Sequence, residues 1–232
     1  MTGLKVGKST IHRQAIGYEI PATKTKQVVK SLAVDGGNIR VRTPKGKPSI
    51  WKNYKAIQVY DDLSFACFQD NQTLETWVNQ QPLAQVVNCL GDGHDGIWNI
   101  IANIGESYQR REILDWYHLK ENLYKVGGSI KRLQRAENHL WYGDIETALA
   151  EFSNSKGRKK QLENFRNYLY HHQARIPDYS LYQLLDIPIG SGAVESLIKR
   201  INQRVKITGA QWKSENVSQI LKLRCTYLNY HS

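Results

Sequence analysis

Apolar positions in the first half of the chain fall in short runs broken by glycine, proline and acid, and beyond them the spacing lengthens to the three-and-four beat of helices. Ser31 to Asp35 and Ile39 to Thr43 read as two short strands joined by Gly36-Gly37-Asn38, residues that accept the positive φ of a tight turn. After the loop Thr43 to Pro48, Lys55 to Tyr60 alternates polar and apolar as a half-buried strand does, and Asp61-Asp62 turns the chain. Ser64 to Phe68 predicts a strand, Thr73 to Gln81 a helix, Val86 to Leu90 a short and fully buried strand, Gly96 to Ile104 a helix and Glu112 to Trp116 a last strand.

From Leu119 to Ile176 the pattern is helical and amphipathic, with breaks at Gly127-Gly128, near Gly143 and around Gly157. Pro177 and Pro188 bracket a short helical stretch, Tyr179 to Leu185. Strands first, then a helical block, then a final acidic helix make an α/β chain: a ribonuclease-H-like mixed sheet flanked by helices, with an all-α insertion before the last catalytic helix. The expected divisions are 1–30 as a linker or remnant of an upstream region, 31–118 as the first part of the core, 119–188 as the insertion and 189–232 as the C-terminal helices.

Composition adds the partner. The 232 residues are 41% apolar, enough for one sizeable core. No apolar run approaches the roughly 20 residues that span a bilayer, and no secretory h-region opens the chain. The three cysteines are odd in number and lie in apolar segments, so a reducing, cytoplasmic and nucleoid-associated setting is expected. The net charge of +11 is segregated: residues 1 to 50 hold 10 Lys/Arg against 2 Asp/Glu, residues 191 to 232 hold 7 against 2, and the stretch between is slightly acidic. Cationic ends around a neutral middle suit a polyanion, and nucleic acid is the expected partner rather than a membrane.

Three acids stand where chemistry needs them. Asp35 closes Leu32-Ala33-Val34 before two glycines, Asp92 closes Val86 to Gly91 before Gly93, and Glu195 lies in the first turn of a helix launched by Gly190-Ser191-Gly192. In that helix Val194, Leu197, Ile198, Ile201 and Val205 fall within a stripe of roughly 100°, the width of a core-facing side. Glu195, Lys199, Asn202 and Lys206 line a different edge, one that can aim an acid at a metal and cations at a phosphate backbone. Helix chemistry alone explains Glu195 equally well, through the helix dipole and the i,i+4 pair with Lys199. Turn chemistry does the same for Asp35 and Asp92, and Asp61, Asp62 and Asp95 are rival ligands.

A resemblance narrows these alternatives. Val34-Asp35-Gly36, Leu90-Gly91-Asp92-Gly93, Ile113 to Leu123 with Asp115-Trp116-Tyr117-His118, and Ile189 to Ser196 resemble, in order, strings of bacterial insertion-sequence transposases of the ISKra-four family. The tail Gly209-Ala210-Gln211-Trp212 followed by Leu221 to Arg224 is similar to theirs as well. The resemblance implies a DDE recombinase in which Asp35, Asp92 and Glu195 are the catalytic acids and metal ligands, with Asp35 shared between two ions. Asp115-x-x-His118 resembles a motif of such families, which makes His118 a DNA contact and Asp115 the group that orients it; without the family, both read as caps or buried hydrogen-bonding groups. Lys199, Arg200, Arg204 and Lys206 complete the expected DNA contacts.

The chemistry implied is phosphodiester cleavage followed by strand transfer. Two Mg²⁺ ions, with Mn²⁺ as a substitute, relieve charge on the attacking and leaving oxygens, and carboxylates are the hard ligands that such ions take. The partners implied are transposon-end and target DNA and further copies of the chain. Gly3 to Gln14 resembles the tail of the helix-turn-helix region such transposases carry before the catalytic domain, which leaves three expectations for the chain: the second frame of a frameshifted pair, a separately made catalytic piece that works with a separately encoded N-terminal part, or the remnant of a decayed element. The competing expectation is a catalytically inactive DNA-binding fragment, and a minor one is a nuclease without strand transfer. Among other features, Trp141 and Trp212 are candidates for base stacking, Gly157-Arg158-Lys159-Lys160 is a helix start or a DNA contact, and His171-His172, Cys67 and Cys89 lack zinc spacing.

Overall fold

The computed structural model describes residues 7–21, 23–60, 63–153 and 159–230, and within them the chain is α/β with a five-stranded mixed sheet flanked by helices. In order come α1 (Lys8–Gly17), β1 (Val29–Val41), β2 (Ile50–Val59), β3 (Ser64–Phe68), α2 (Asn71–Asn79), β4 (Leu83–Gly91), α3 (Asp95–Ile101) and β5 (Arg110–Leu114). Then follow α4 (Trp116–Val126), α5 (Ile130–Trp141), α6 (Ile145–Ala150), α7 (Lys159–His171), a 3-10 turn (Gln173–Arg175), α8 (Tyr179–Leu184), α9 (Gly192–Val205) and α10 (Ser214–Tyr230). The strand order is β3-β2-β1-β4-β5, with β2 and β3 antiparallel and β4 and β5 parallel. Among the described residues no helix is long and apolar enough to cross a membrane.

The chain divides into two compact units. The first holds residues 1–29, 35–82 and 193–232, and the second holds 30–34 and 83–192. In the first unit, Phe65 of β3 stacks on Trp77 of α2 with ring centroids 4.9 Å apart. Asn229 near the end of α10 accepts from the Ser64 amide and hydroxyl and returns a hydrogen bond to the Ser64 carbonyl. Strand β3 is thereby stitched to the last helix across 165 residues of sequence. Helix α1 joins the same unit through the Gln219 side-chain amide, which donates to the carbonyls of Ala15 and Tyr18.

In the second unit, Ile97, Ile100 and Ile101 of α3 pack against β4, and Leu119 and Leu123 of α4, which lies against α5 and α7, are fully buried as well. Trp116 packs against Trp141 and Tyr179, at 4.9 and 5.0 Å between centroids, and the Tyr179 hydroxyl donates to the Leu114 carbonyl. This aromatic cluster ties α4, α5 and α8 to the end of β5. The helical pattern from Leu119 to Ile176 therefore resolves into α4 to α7 and the 3-10 turn, with breaks at Gly127-Gly128 and Gly143, both of which carry positive φ. The expected break around Gly157, with Arg158, lies outside the described residues, as do Asp61 and Asp62.

The largest correction falls on the first strand. Gly36-Gly37-Asn38 makes no turn: β1 runs unbroken for 13 residues, and neither glycine has positive φ. A Cβ on Gly37 would run into the Tyr54 ring of β2, so the glycines serve close approach of a neighbouring side chain rather than chain reversal. Smaller corrections follow local caps and pairing. Strand β2 begins at Ile50; Val86 in β4 is exposed rather than buried; Asp70 caps α2, which starts earlier than the periodicity suggests. Helix α3 ends at Ile101, and Asp115 leaves the last strand to cap α4.

Candidate functional site

In the first unit, Asp35 lies inside β1 rather than at a strand end, half-buried and followed by the glycines that admit Tyr54. Tyr54 is fully buried, and its hydroxyl donates to Asn202 Oδ1 of α9 at 3.0 Å. Burial pushes that phenol well above its ordinary range, with Cys225 and the charge of Asp35 adding to the shift. Glu195 occupies the first turn of α9, half-buried and two helical turns before Asn202 on the same side. Val194, Leu197, Ile198, Ile201 and Val205 are all buried, as the stripe requires, each contributing roughly 1.5–3 kcal/mol of apolar burial. The stripe fixes the rotation of α9 about its axis and so the direction of the polar edge. On that edge and beside it Lys199, Arg204 and Lys206 are exposed and Arg200 is half-buried.

In the second unit, Asp92 follows directly on β4 and its Oδ1 accepts from the His94 amide at 2.9 Å. The Gly96 amide donates to His94 Nδ1 at 3.0 Å, so the acid stands at the head of a loop that folds back on itself to open α3. Helix α7 closes over this loop. A Cβ on Gly93 would strike the Tyr168 ring, His171 Nε2 lies 2.9 Å from Asp95 Oδ1, and the buried His172 is hydrogen-bonded to the Gly93 backbone. Burial first, then His171 and Arg175, push the His172 imidazole down to about 4. Arg175 continues the clamp by donating to Glu112 Oε2 at 2.7 Å while lying 4.3 Å over the Trp98 ring. Burial raises the Tyr168 phenol, and the charges of Asp92 and Asp115 raise it further, so both acids lie in its electrostatic reach.

Asp115 is fully buried at the β5–α4 corner. Its Oδ1 accepts from the His118 amide at 2.8 Å and lies 3.2 Å from His118 Nδ1, and its Oδ2 accepts from the Ser191 amide. Burial works to raise this carboxyl, but the hydrogen bonds from His118 and Ser191 outweigh it and hold the group below the ordinary carboxylate range. The Trp116 amide donates to the Ile189 carbonyl at 2.9 Å, and a Cβ on Gly190 would crowd Tyr117. The string Ile189-Gly190-Ser191 is thus anchored to the start of α4. Asp115 combines the cap and buried-anchor roles that ordinary helix chemistry assigns to it, and His118 presents a partly exposed ring beside it.

The remaining candidates separate by environment. Asp95, a rival ligand, is exposed and engaged with His171, whose hydrogen bond lowers its carboxyl. Trp212 is held by backbone pairing with Arg40 and Arg42 and by its indole N–H on the Val205 carbonyl. Trp141 lines a cavity of about 620 Å³ with Trp116, Lys120 and Glu137. Cys67, Cys89 and Cys225 are free and buried, and burial raises each thiol to about 12. The clamp of Tyr168, His172 and Arg175 on the Asp92 loop escaped the sequence reading, although the His171-His172 pair marks its place. Searches against protein-family models and against curated proteins found no match for this chain.

Proposed function

We propose that this chain is the catalytic part of a DDE-type transposase, which cleaves DNA at insertion-sequence ends in a Mg²⁺-dependent reaction and joins the freed 3′-OH to target DNA. The observation that carries the reading is a hydrogen bond of 3.0 Å from Asn88 Nδ2 of β4 to Ser31 Oγ of the neighbouring β1. Asn88 stands four residues before Asp92, and Ser31 four residues before Asp35. The Val29 amide also donates to the Pro82 carbonyl, a second link between β1 and the start of β4. Asp35 in β1 and Asp92 directly after β4 are carried by strands that neighbour one another in the sheet, which is the scaffold a paired-carboxylate reading needs. The mixed sheet, the helices α4 to α8 after its last strand, and Glu195 in the first turn of α9 support a ribonuclease-H-like core with a helical insertion.

The donor set suits Mg²⁺. Asp35, Asp92 and Glu195 are half-buried, which leaves carboxylate oxygen reachable by a cation that keeps several of its waters. Two such ions supply charge relief at the attacking and leaving oxygens of the phosphodiester. Asp35, Asp92 and Glu195 are the residues that would hold the ions. The α7 clamp fixes the Asp92 loop before DNA arrives, so little ordering is left for the reaction step. His118, positioned by Asp115, contacts the strand to be cut, while Lys199, Arg200, Arg204 and Lys206 hold phosphates. Assembly of further copies on paired ends belongs to the same reading.

The test is the Asp92→Asn variant assayed with Mg²⁺ on DNA carrying the element's ends. Loss of nicking and strand transfer with DNA affinity equal to or above wild type supports the assignment. Identical behaviour of the two proteins, with salt-dependent binding and no cleavage by either, leaves a DNA-binding fragment instead.

A further inference from the structure

We infer that the β1–β2 hairpin and the C-terminal half of α9 form one cationic face that binds single-stranded DNA, with Trp51 stacking on an unpaired base. Residues 36–60 contain six Lys/Arg and no acid, and residues 196–212 contain four Lys/Arg and no acid. The fold of the first unit joins these two stretches. Trp212 N donates to the Arg40 carbonyl and Arg42 N to the Trp212 carbonyl, an isolated bridge pairs Val41 with Trp212, and the Trp212 indole reaches Val205 at the end of α9. Farther along the hairpin, Tyr54 meets Asn202. Two acid-free segments about 150 positions apart in sequence thereby present their charge together.

At this junction stands an aromatic side chain that nothing in the core requires. Trp51 is 55% exposed at the start of β2, and its neighbour Ile50 is 53% exposed. Lys206 Nζ lies 5.6 Å from the Trp51 ring centroid. Arg42, Lys45 and Lys47 are exposed around the hairpin tip, and Arg204 is exposed on α9. Cations that follow a phosphate backbone, interleaved with an open aromatic face, are the elements of sequence-tolerant single-strand binding. Intact duplex keeps its base faces stacked inside, so an indole gains little there. A strand opened near a cleavage point offers one. The proposal extends the phosphate contacts assigned to α9 above, yet it needs neither metal nor catalysis.

Binding is measured by fluorescence anisotropy in EDTA, so that cleavage does not enter, with labelled oligothymidylate of roughly 20 nucleotides and a duplex of equal length. Trp51→Ala is expected to weaken single-strand binding about tenfold and duplex binding less than about twofold, and Trp51→Tyr to restore most of the loss. Lys45→Ala with Lys47→Ala should flatten the salt slope on the single strand by roughly 1.4, about 0.7 for each phosphate no longer neutralised. Equal loss on both DNAs, no loss on either, or an unchanged salt slope overturns the inference. Anionic phospholipid vesicles provide the control for another polyanion: vesicle binding that depends on Trp51 while single-strand binding does not overturns it too. Because this assay reads DNA binding in EDTA and the Asp92→Asn test reads cleavage with Mg²⁺, failure here and failure of the catalytic reading are separate results.

Discussion

The ring of Tyr54 occupies the space that a Cβ on Gly37 would take, and the same tyrosine bonds through its hydroxyl to Asn202 of α9. One missing methyl therefore lets β1, β2 and α9 close around a fully buried phenol two residues beyond Asp35.

Gly37→Ala tests that relationship. The added carbon meets an aromatic ring that is walled in and cannot swing away, so stability should fall by about 2 kcal/mol through overpacking. Gly192→Ala, where a new Cβ meets nothing within 4 Å, should change stability by less than about 0.5 kcal/mol. Urea titration of both variants checks the contrast, and equal effects would remove close packing as the reason for glycine in β1.

Asp115 gives a second prediction. Asp115→Asn keeps the volume but removes the charge that accepts from His118 and Ser191, and should cost about 3 kcal/mol at pH 7. The sign with pH follows from a folded-state carboxyl held below its unfolded value. The stabilisation is complete above the ordinary value near 3.9 and is lost as pH falls through the lower folded value. The stability gap between wild type and variant, read by denaturant melts, should therefore persist from pH 7 to about 5 and narrow below about 4.

His172 titrates in the opposite setting. Its folded value near 4 lies below the ordinary 6.5, so between these two pH values the unfolded chain binds the extra proton. Stability contributed by the neutral, buried ring is complete above pH 6.5 and declines as pH falls toward 4. His172→Gln, which has no such proton to take up, should flatten the stability profile across that window. A wild-type profile that stays level from pH 7 to 4.5 would contradict the buried, neutral ring.

How much of this was legible in the chain follows from the range of the forces involved. Helix α9 was readable down to its buried side, because a stripe of Val194, Leu197, Ile198, Ile201 and Val205 needs only its own periodicity. Strand β3 and the places of Asp92 after the fourth strand and Glu195 on α9 were legible for the same local reason. The segregation of charge to the two ends likewise belongs to the sequence itself.

Tertiary contact decided the rest. Two glycines read as a turn became strand interior because Tyr54, supplied by another strand, fills the space beside them. Asp115 gained its low-lying carboxyl from His118 together with Ser191, 76 residues away, and the Asp92 loop gained its brace from Tyr168, His172 and Arg175. The two acid-free segments beside Trp51 come together only where the hairpin meets the end of α9. Periodicity and propensity act over a few residues and are written in order along the chain. Desolvation, hydrogen bonding and close packing depend on which distant groups arrive next to one another, and the fold alone brings them there.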